Sequence, residues 1–182
     1  MQPTLTTERL VLRPFMPMDA EAVHRLASNR AIADTTISVP HPLERSVVAA
    51  WFQAYADAFA EGRGAYYAVT EAEGGALAGQ IGLRGIEPEH GQAELTFWIG
   101  EPFWGRGYAS EAARRMVHYG FGVLRLNRIY ACHMVRNPAS GRVLAKAGMR
   151  QEGVLRQRAR KWGVYEDVVL QAVLREDLPG SR

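Results

Sequence analysis

The sequence predicts an α+β fold, a single mixed and mostly antiparallel twisted sheet flanked by about four helices. Three strand-like segments, 66–70, 78–86 and 93–99, follow one another across Glu/Gly-rich turns of hairpin length, a pattern typical of an antiparallel meander. A helical period after the third segment leads to another strand-like segment at 128–135. A helix between two strands allows them to be parallel neighbours, so the predicted sheet is mixed.

The first third of the chain is predicted to hold one short strand and two helices. Alternation over 10–13 predicts the strand, and Asp19 is placed to cap the helix that follows it. The stretch 30–42 has no clean period and contains two prolines, so we expect a loop there. The second helix is predicted from apolar residues that recur every three or four positions: Val48, Trp51, Phe52, Tyr55 and Phe59.

The second half is predicted to contain two helices and three strands. The helix over 108–121 should bury an alanine-rich side and turn Ser110, Glu111, Arg114, Arg115 and His118 to water. Asn137 followed by Pro138 predicts the cap and the first residue of the next helix, which Gly148 ends. Strands near 149–156 and 164–174 complete the chain.

Length and composition define the class of protein. The 182 residues suffice for one domain with a sizeable core, so we expect 1–182 to be a single domain. No apolar run reaches the roughly 20 residues that cross a bilayer, and the N-terminus shows no secretory pattern. A cytoplasmic protein without membrane contact is therefore expected. Cys132 is the single cysteine, and no Cys/His spacing suggests a metal site.

The charge distribution argues against a nucleic-acid surface. The chain carries 22 basic and 19 acidic side chains, and the arginines are scattered among the carboxylates. The one basic cluster consists of Arg156, Arg158, Arg160 and Lys161. For this cluster, a solvated loop and the binding of an anionic group both remain open.

The most informative segment runs Trp104-Gly105-Arg106-Gly107-Tyr108-Ala109-Ser110 and opens the alanine-rich helix. Its glycines permit close backbone approach, and the first N–H groups of the helix lie at the positive end of the helix dipole. Such a turn can bind a pyrophosphate, with side-chain contacts from Arg106 and Ser110. A Walker loop is excluded because no Gly-Lys-Ser/Thr occurs. A dinucleotide fingerprint and a turn that binds nothing stay open at this point.

The order of these motifs resembles the core of the GNAT acetyltransferases, and more narrowly their RimJ/RimL-type branch. The likeness covers nearly the whole chain, although 30–42 contributes little. It rests on the loop at 104–109, on Asn137 and Ser140, on the opening Leu5-Thr6-Thr7-Glu8-Arg9-Leu10-Val11-Leu12-Arg13, and on the closing Tyr165-Glu166-Asp167-Val168. Trp104 departs from the Gln/Arg of the superfamily loop, but it suits this branch.

The resemblance implies acetyl-CoA as co-substrate, and the Cys/His spacing leads us to expect no metal. The loop residues Trp104, Gly105, Arg106, Gly107, Tyr108, Ala109 and Ser110 would hold the diphosphate. The strand over 94–99 would carry the pantetheine arm on its backbone, in a gap beside the next strand, with Phe97 and Ile99 lining the arm. By position, the N–H of Trp98 would face the thioester oxygen as an oxyanion donor. Asn137 would contact the pantetheine, act as a helix cap, or do both.

The resemblance also suggests the catalytic groups for acetyl transfer to a primary amine. Glu94 would act as the general base, through water because it lies four residues from Trp98. Ser140 would be the general acid, since Leu144 stands where many family members keep a tyrosine. His133 and Asp167 are substitute bases, and each of them fits a structural role better.

The acceptor is expected at 30–42 and at a loop that carries Arg158, Trp162 and Tyr165. An N-terminal peptide fits by analogy, whereas an amino acid, a polyamine or an antibiotic amine stays possible. Two other classes remain as alternatives, a non-catalytic acyl-CoA sensor and an RNA-associated protein. A homodimer is reasonable for this branch.

Overall fold

The computed structural model describes residues 1–178 and contains one eight-stranded sheet with five α-helices in that range. The strands are β1 Leu5–Thr6, β2 Leu10–Arg13, β3 Gly64–Glu71, β4 Leu77–Glu87, β5 Gln92–Ile99, β6 Arg128–Met134, β7 Arg150–Lys161 and β8 Val164–Leu174. The helices are α1 Ala20–Ala27, α2 Arg30–Thr35, α3 Arg45–Ala60, α4 Tyr108–Gly122 and α5 Pro138–Lys146. The prediction of an α+β fold with a mixed, mostly antiparallel sheet is confirmed.

The strand order is β1-β2-β3-β4-β5-β6-β8-β7, and the parallel pair is β5 with β6. These two strands pair at three positions, from Gln92 opposite Arg128 to Glu94 opposite Tyr130. Beyond that point β5 keeps its ladder to β4, while β6 keeps its ladder to β8. The sheet therefore opens into a gap between the last five residues of β5 and the end of β6.

The two faces of the sheet carry separate apolar clusters. One lies beneath α4 and α5 and includes Leu95, Met116 and Leu144. The other lies beneath α1, α2 and α3 and includes Trp98. Because side chains alternate along a strand, neighbouring residues of β5 serve opposite faces. The gap beside β5 is thus accessible to groups from both layers.

The prediction of a loop at 30–42 is wrong for its first part, which forms α2. The Asn29 side chain caps this helix by accepting a hydrogen bond from the N–H of Ala31 at 2.9 Å. With six residues, α2 is too short to show a helical period. Asp19 stands at the N-cap of α1, as predicted, but its side chain makes no capping hydrogen bond to that helix. Its carboxylate instead accepts two hydrogen bonds from Arg13, both at 2.7 Å, and one from the N–H of Met16.

Two predictions of exposure are wrong at the start of α4. Ser110 is buried, and Glu111 accepts hydrogen bonds from Thr7 and from Arg9. The basic cluster predicted as a loop belongs to β7, which forms a long hairpin with β8 that turns at Trp162 and Gly163. No helix within residues 1–178 has the length and apolar character of a membrane span.

Candidate functional site

The backbone of β5 presents unpaired groups to the gap beside β6. The N–H of Gly100 donates to the carbonyl oxygen of Ala78 at 2.8 Å. Together with the register of β4 and β5, this bond shows which residues of β5 direct their N–H and C=O groups toward β4. Backbone groups of Trp98 therefore point at β4, and those of Phe97 and Ile99 point into the gap. The sequence-based assignment of the Trp98 N–H as oxyanion donor is wrong for this reason. The carbonyl of Ile99 accepts a hydrogen bond from Nε1 of Trp104 at 2.5 Å.

A cleft of about 350 Å³, here called the loop cleft, lies between this gap, the start of α4, and α5. Of the residues predicted to bind the cofactor, it is lined by Phe97, Trp98, Ile99, Trp104, Gly105, Gly107, Tyr108, Ala109, Ser110 and Asn137. The structure thus brings together ten of the eleven residues that the sequence singled out. Arg106 is the exception, because its guanidinium contacts Glu71 at 3.2 Å, outside the cleft.

The loop before α4 has the geometry of an anion-binding turn. Gly105 and Gly107 have φ values of +77° and +81°, a region that side-chain-bearing residues rarely adopt. Gly107 caps α4 without a side chain, and its carbonyl accepts from the N–H of Glu111 at 3.1 Å. The N–H groups of the first three helical residues are left for a ligand. They lie at the positive end of a 15-residue helix.

A network on the outer side of this loop holds it in place. The Tyr108 hydroxyl donates to Glu71 at 2.7 Å. Arg9 donates to the carbonyl of Arg106 at 3.0 Å and forms an ion pair with Glu111 at 2.6 Å. Burial by itself raises the pKa of the Glu111 carboxyl, but the hydrogen bonds from Thr7 and Arg9 outweigh it and lower the pKa.

Two cations of α5 line the loop cleft and were missed by the sequence reasoning. Arg142 and Lys146 face the glycine loop together with Ala139 and Val143. Spacings of three and four residues place these four positions on one side of a helix. That spacing could have identified the two cations once Asn137 was taken as the start of α5. They make the loop cleft suitable for a group with several phosphates.

Asn137 and Ser140 connect the cap of α5 to α2. The Asn137 side chain accepts from the N–H of Ser140 at 3.2 Å, which confirms the predicted cap. Its Nδ2 donates to the Ser140 hydroxyl and to the carbonyl of Thr35, each at 2.9 Å. The Ser140 oxygen is thereby oriented as an acceptor from Asn137, which leaves its own proton free to be donated elsewhere.

A second cleft of about 230 Å³, here called the sheet cleft, lies on the face of the sheet that carries α3. Both clefts are lined by Thr35, Thr36, Phe97, Trp98 and Ser140. The wall of the sheet cleft also includes Tyr55 and Tyr66, whose rings stack with centroids 4.2 Å apart. Burial raises the pKa of both hydroxyls, so they stay protonated and can donate hydrogen bonds near neutral pH.

Glu94 lines the sheet cleft, and both of its carboxylate oxygens accept hydrogen bonds from Arg84, at 2.7 and 2.9 Å. Cys132 lies in the same cleft, and burial, followed by the nearby charge of Glu94, raises the pKa of its thiol. Within residues 1–178, no group of three His, Cys, Asp or Glu side chains is arranged to hold a metal ion.

The two substitute bases have structural partners. His133 lines the sheet cleft, but its Nδ1 lies 2.9 Å from the carbonyl of Met134, and its Nε2 is enclosed. A Cβ added at Gly141 would come within 2.8 Å of that Nε2. Asp167 accepts from the N–H of Gln157 at 2.8 Å. This bond steadies a backbone with a positive φ of 52° at Gln157.

The three residues predicted to bind the acceptor line neither cleft. Trp162 donates from Nε1 to Asp34 in α2 at 2.8 Å and stacks beneath Arg30. Tyr165 is exposed under Arg160, and Arg158 is exposed on β7. The hairpin tip thus packs against α2, which forms part of the wall of both clefts. Lys161 adds a hydrogen bond to the carbonyl of Val39 at 2.8 Å.

Comparison with known proteins agrees with this geometry. A family model described as "Acetyltransferase (GNAT) domain" matches residues 9–150. The Bacillus subtilis (strain 168) protein named "Uncharacterized N-acetyltransferase YoaA" is 32% identical over 176 residues, which cover 96% of this chain and 98% of the relative.

Two solved structures share the fold over nearly the whole chain. Spermidine N-acetyltransferase from Vibrio cholerae, in complex with CoA and spermine, superposes with a TM-score of 0.82 and 26% identity, covering 94% of this chain and 98% of the other. RimL, a ribosomal L7/L12 alpha-N-protein acetyltransferase in complex with coenzyme A, has a TM-score of 0.85 at 22% identity, with the same coverage. The second likeness concerns the fold alone.

Proposed function

The chain belongs to the GNAT acetyltransferase family, and we propose that its loop cleft binds acetyl-CoA while its sheet cleft binds the amine that receives the acetyl group. The observation that carries this assignment is the junction of the two clefts at Phe97, Trp98 and Ser140. The enzyme is an acetyl-CoA-dependent N-acetyltransferase. Phosphate-binding geometry lies on one side of the junction, and a carboxylate lies on the other.

The diphosphate is assigned to the free N–H groups at the start of α4, with Arg142 and Lys146 opposite them. The pantetheine arm is assigned to the gap, where the backbone groups of Phe97 and the N–H of Ile99 can extend the β-ladder, since the carbonyl of Ile99 already accepts from Trp104. Phe97 lines both clefts, whereas Ile99 lines only the loop cleft. We therefore assign the oxyanion contact to the N–H of Phe97 rather than to that of Trp98.

The reaction needs a neutral amine, a stabilised oxyanion and a proton for the departing thiolate. Glu94 is assigned as the base and acts through water, since both of its oxygens already accept from Arg84. The Ser140 hydroxyl lies at the junction and has a free proton, so we assign it the role of acid. The sulfur of CoA is a fair leaving group with a thiol pKa of about 8.5, so this last step demands little.

The charge of the sheet cleft favours a singly charged acceptor. A polyamine would need several unpaired carboxylates, whereas Glu94 is matched by Arg84. An N-terminal α-amine has a pKa of about 8, so roughly 200-fold more of it is neutral at pH 7 than of a lysine side chain. We propose the α-amine of a protein or peptide as the acceptor. A small primary amine with no other charged group nearby is the second candidate.

A thiol-release assay with acetyl-CoA tests this assignment. The probes are the peptide Ser-Ala-Ala-Ala-Ala with a free amino terminus, tyramine and spermidine. We expect release with the peptide above the other two. Binding of acetyl-CoA by calorimetry, with no release for any probe, would instead support a non-catalytic sensor. A cytoplasmic location, a homodimer and a single domain over 1–182 stay predictions, and residues 179–182 lie outside the described part of the chain.

A further inference from the structure

Gln80 occupies the centre of the sheet in a position where an apolar side chain would be expected. It pairs with Trp98 of β5 on one side and with Ala68 of β3 on the other. Only 4% of its surface is accessible, yet the residue lines the sheet cleft. Its Nε2 is enclosed and has no hydrogen-bond partner among residues 1–178.

An enclosed polar group without a partner destabilises the folded protein. The cost of such a group is about 1–3 kcal/mol, and replacing it with an apolar group of the same shape is neutral or stabilising. The cross-strand neighbours Ala68 and Trp98 both belong to the apolar cluster beneath α1, α2 and α3. The stability of the fold therefore does not explain a glutamine at this position. A role of the glutamine in binding the substrate would explain it.

Gln80 lines the cleft that is proposed to hold the amine. Rotation about the Cγ–Cδ bond exchanges Oε1 and Nε2, so either atom can be presented to the cleft. Two other acceptors of this cleft are already engaged, since the Glu94 oxygens accept from Arg84 and the Ser140 oxygen accepts from Asn137. Gln80 is adjacent to Trp98, which lines both clefts at their junction.

We propose that the Gln80 carboxamide oxygen accepts a hydrogen bond from the attacking amino group and so positions it for transfer, an inference that rests on the proposed acetyltransferase reaction. An uncharged hydrogen-bond acceptor on the protein suits this step. A free carboxylate close to the amine would favour the ammonium form and raise its pKa, which would reduce the fraction able to attack. A carboxamide binds the neutral amine without that penalty.

The test is Gln80→Met, which keeps the length of the side chain and removes both polar atoms. Gln171→Met is the matched control, because Gln171 is also buried, its Oε1 is enclosed without a partner in the described part of the chain, and it lines neither cleft. For each variant, the KM for Ser-Ala-Ala-Ala-Ala, the dissociation constant of acetyl-CoA and the melting temperature are measured.

We expect Gln80→Met to melt at or above the wild-type temperature and to raise the peptide KM about tenfold or more, with acetyl-CoA affinity within about twofold of wild type. Gln171→Met should leave the peptide KM unchanged. An unchanged KM in Gln80→Met, with wild-type enzyme active, overturns the role of Gln80 alone. Wild-type enzyme that binds acetyl-CoA and acetylates none of the three probes overturns the proposed function, and this inference with it.

A second substitution covers the case in which Gln80→Met does not fold. Gln80→Asn keeps the amide but withdraws it by one methylene, about 1.5 Å. We expect the same rise in peptide KM, because the oxygen no longer reaches the amine. A wild-type KM in this variant counts against the proposal as much as in the first.

Discussion

The guanidinium of Arg84 donates to both carboxylate oxygens of Glu94, from neighbouring positions of β4 and β5, at 2.9 and 2.7 Å. The Glu94 side chain is mostly buried, while that of Arg84 is partly exposed. This pair makes the sheet cleft nearly neutral although its lining contains a carboxylate. In the proposed mechanism, the proton would therefore reach a Glu94 oxygen that already accepts one hydrogen bond.

Glu94→Gln tests the general base. The substitution keeps the size of the side chain and removes its ability to take a proton, so we expect kcat/KM for the peptide to fall about 100-fold. Acetyl-CoA affinity, measured by calorimetry, should stay unchanged because Glu94 does not line the loop cleft. Wild-type turnover in this variant would exclude Glu94 from proton transfer.

Arg84→Gln tests the electrostatic explanation of acceptor choice. Without the guanidinium, the Glu94 carboxylate is an unpaired negative charge in the cleft. In partly solvated surroundings, its interaction with a cationic group a few ångström away is favourable by about 1 kcal/mol or more. We expect the KM for spermidine to fall about fivefold or more relative to that for the peptide. Arg45→Gln is the control, since it breaks an exposed ion pair with Glu21 between α1 and α3. Equal changes in both variants would contradict the explanation.

Gly107→Val tests the anion-binding turn. Valine at a φ of +81° is strained by about 1–2 kcal/mol, so the turn that is proposed to bind the diphosphate has to shift. The Cβ of the valine would lie 3.5 Å from Nη2 of Arg9. We expect the dissociation constant of acetyl-CoA to rise about 30-fold or more while the protein stays folded.

Gly74 supplies the matched control for that substitution. It has a φ of +78° in the turn between β3 and β4, and a Cβ there would have no neighbour within 4 Å among the residues that the structure describes. Gly74→Val should therefore carry the same backbone strain and leave acetyl-CoA binding unchanged. Normal affinity in Gly107→Val, measured by calorimetry, would remove the loop from the cofactor site.

The features that the sequence predicted well depend on local chemistry. Positive φ at Gly105 and Gly107, the cap at Asn137 and the alternation of β5 follow from neighbouring residues. The parallel pairing of β5 with β6 follows from the helix between them. For these reasons the fold and most of the loop cleft could be predicted before the structure was known.

The features that were missed depend on distant contacts. α2 is held by Asn137 and Trp162, which lie more than 100 residues further along the chain. The hairpin tip looks like a substrate loop in the sequence, but it folds against α2 and supports the cleft wall. The unpartnered state of Gln80 depends on three strands and has no local signature.

Glu111 gives a test of the network behind the loop through the pH dependence of stability. Its pKa in the folded state lies below the ordinary value of 4.5, so ionisation of this carboxyl favours folding. That contribution is present above pH 4.5 and is lost as the pH falls through the lower folded-state pKa. We expect Glu111→Gln to cost about 1–2 kcal/mol at pH 7, a decrease in melting temperature of about 3–6 °C.

The difference between Glu111→Gln and wild type should shrink below pH 4.5, because protonation then removes the same interaction from the wild-type protein. Thermal melts from pH 7 to pH 3.5 measure it, with Glu73→Gln, at an exposed position of the β3–β4 turn, as the control. A difference that stays constant over this range would mean that Glu111 stabilises α4 by packing alone. The ion pair with Arg9 would then not be what holds the glycine loop against the cofactor.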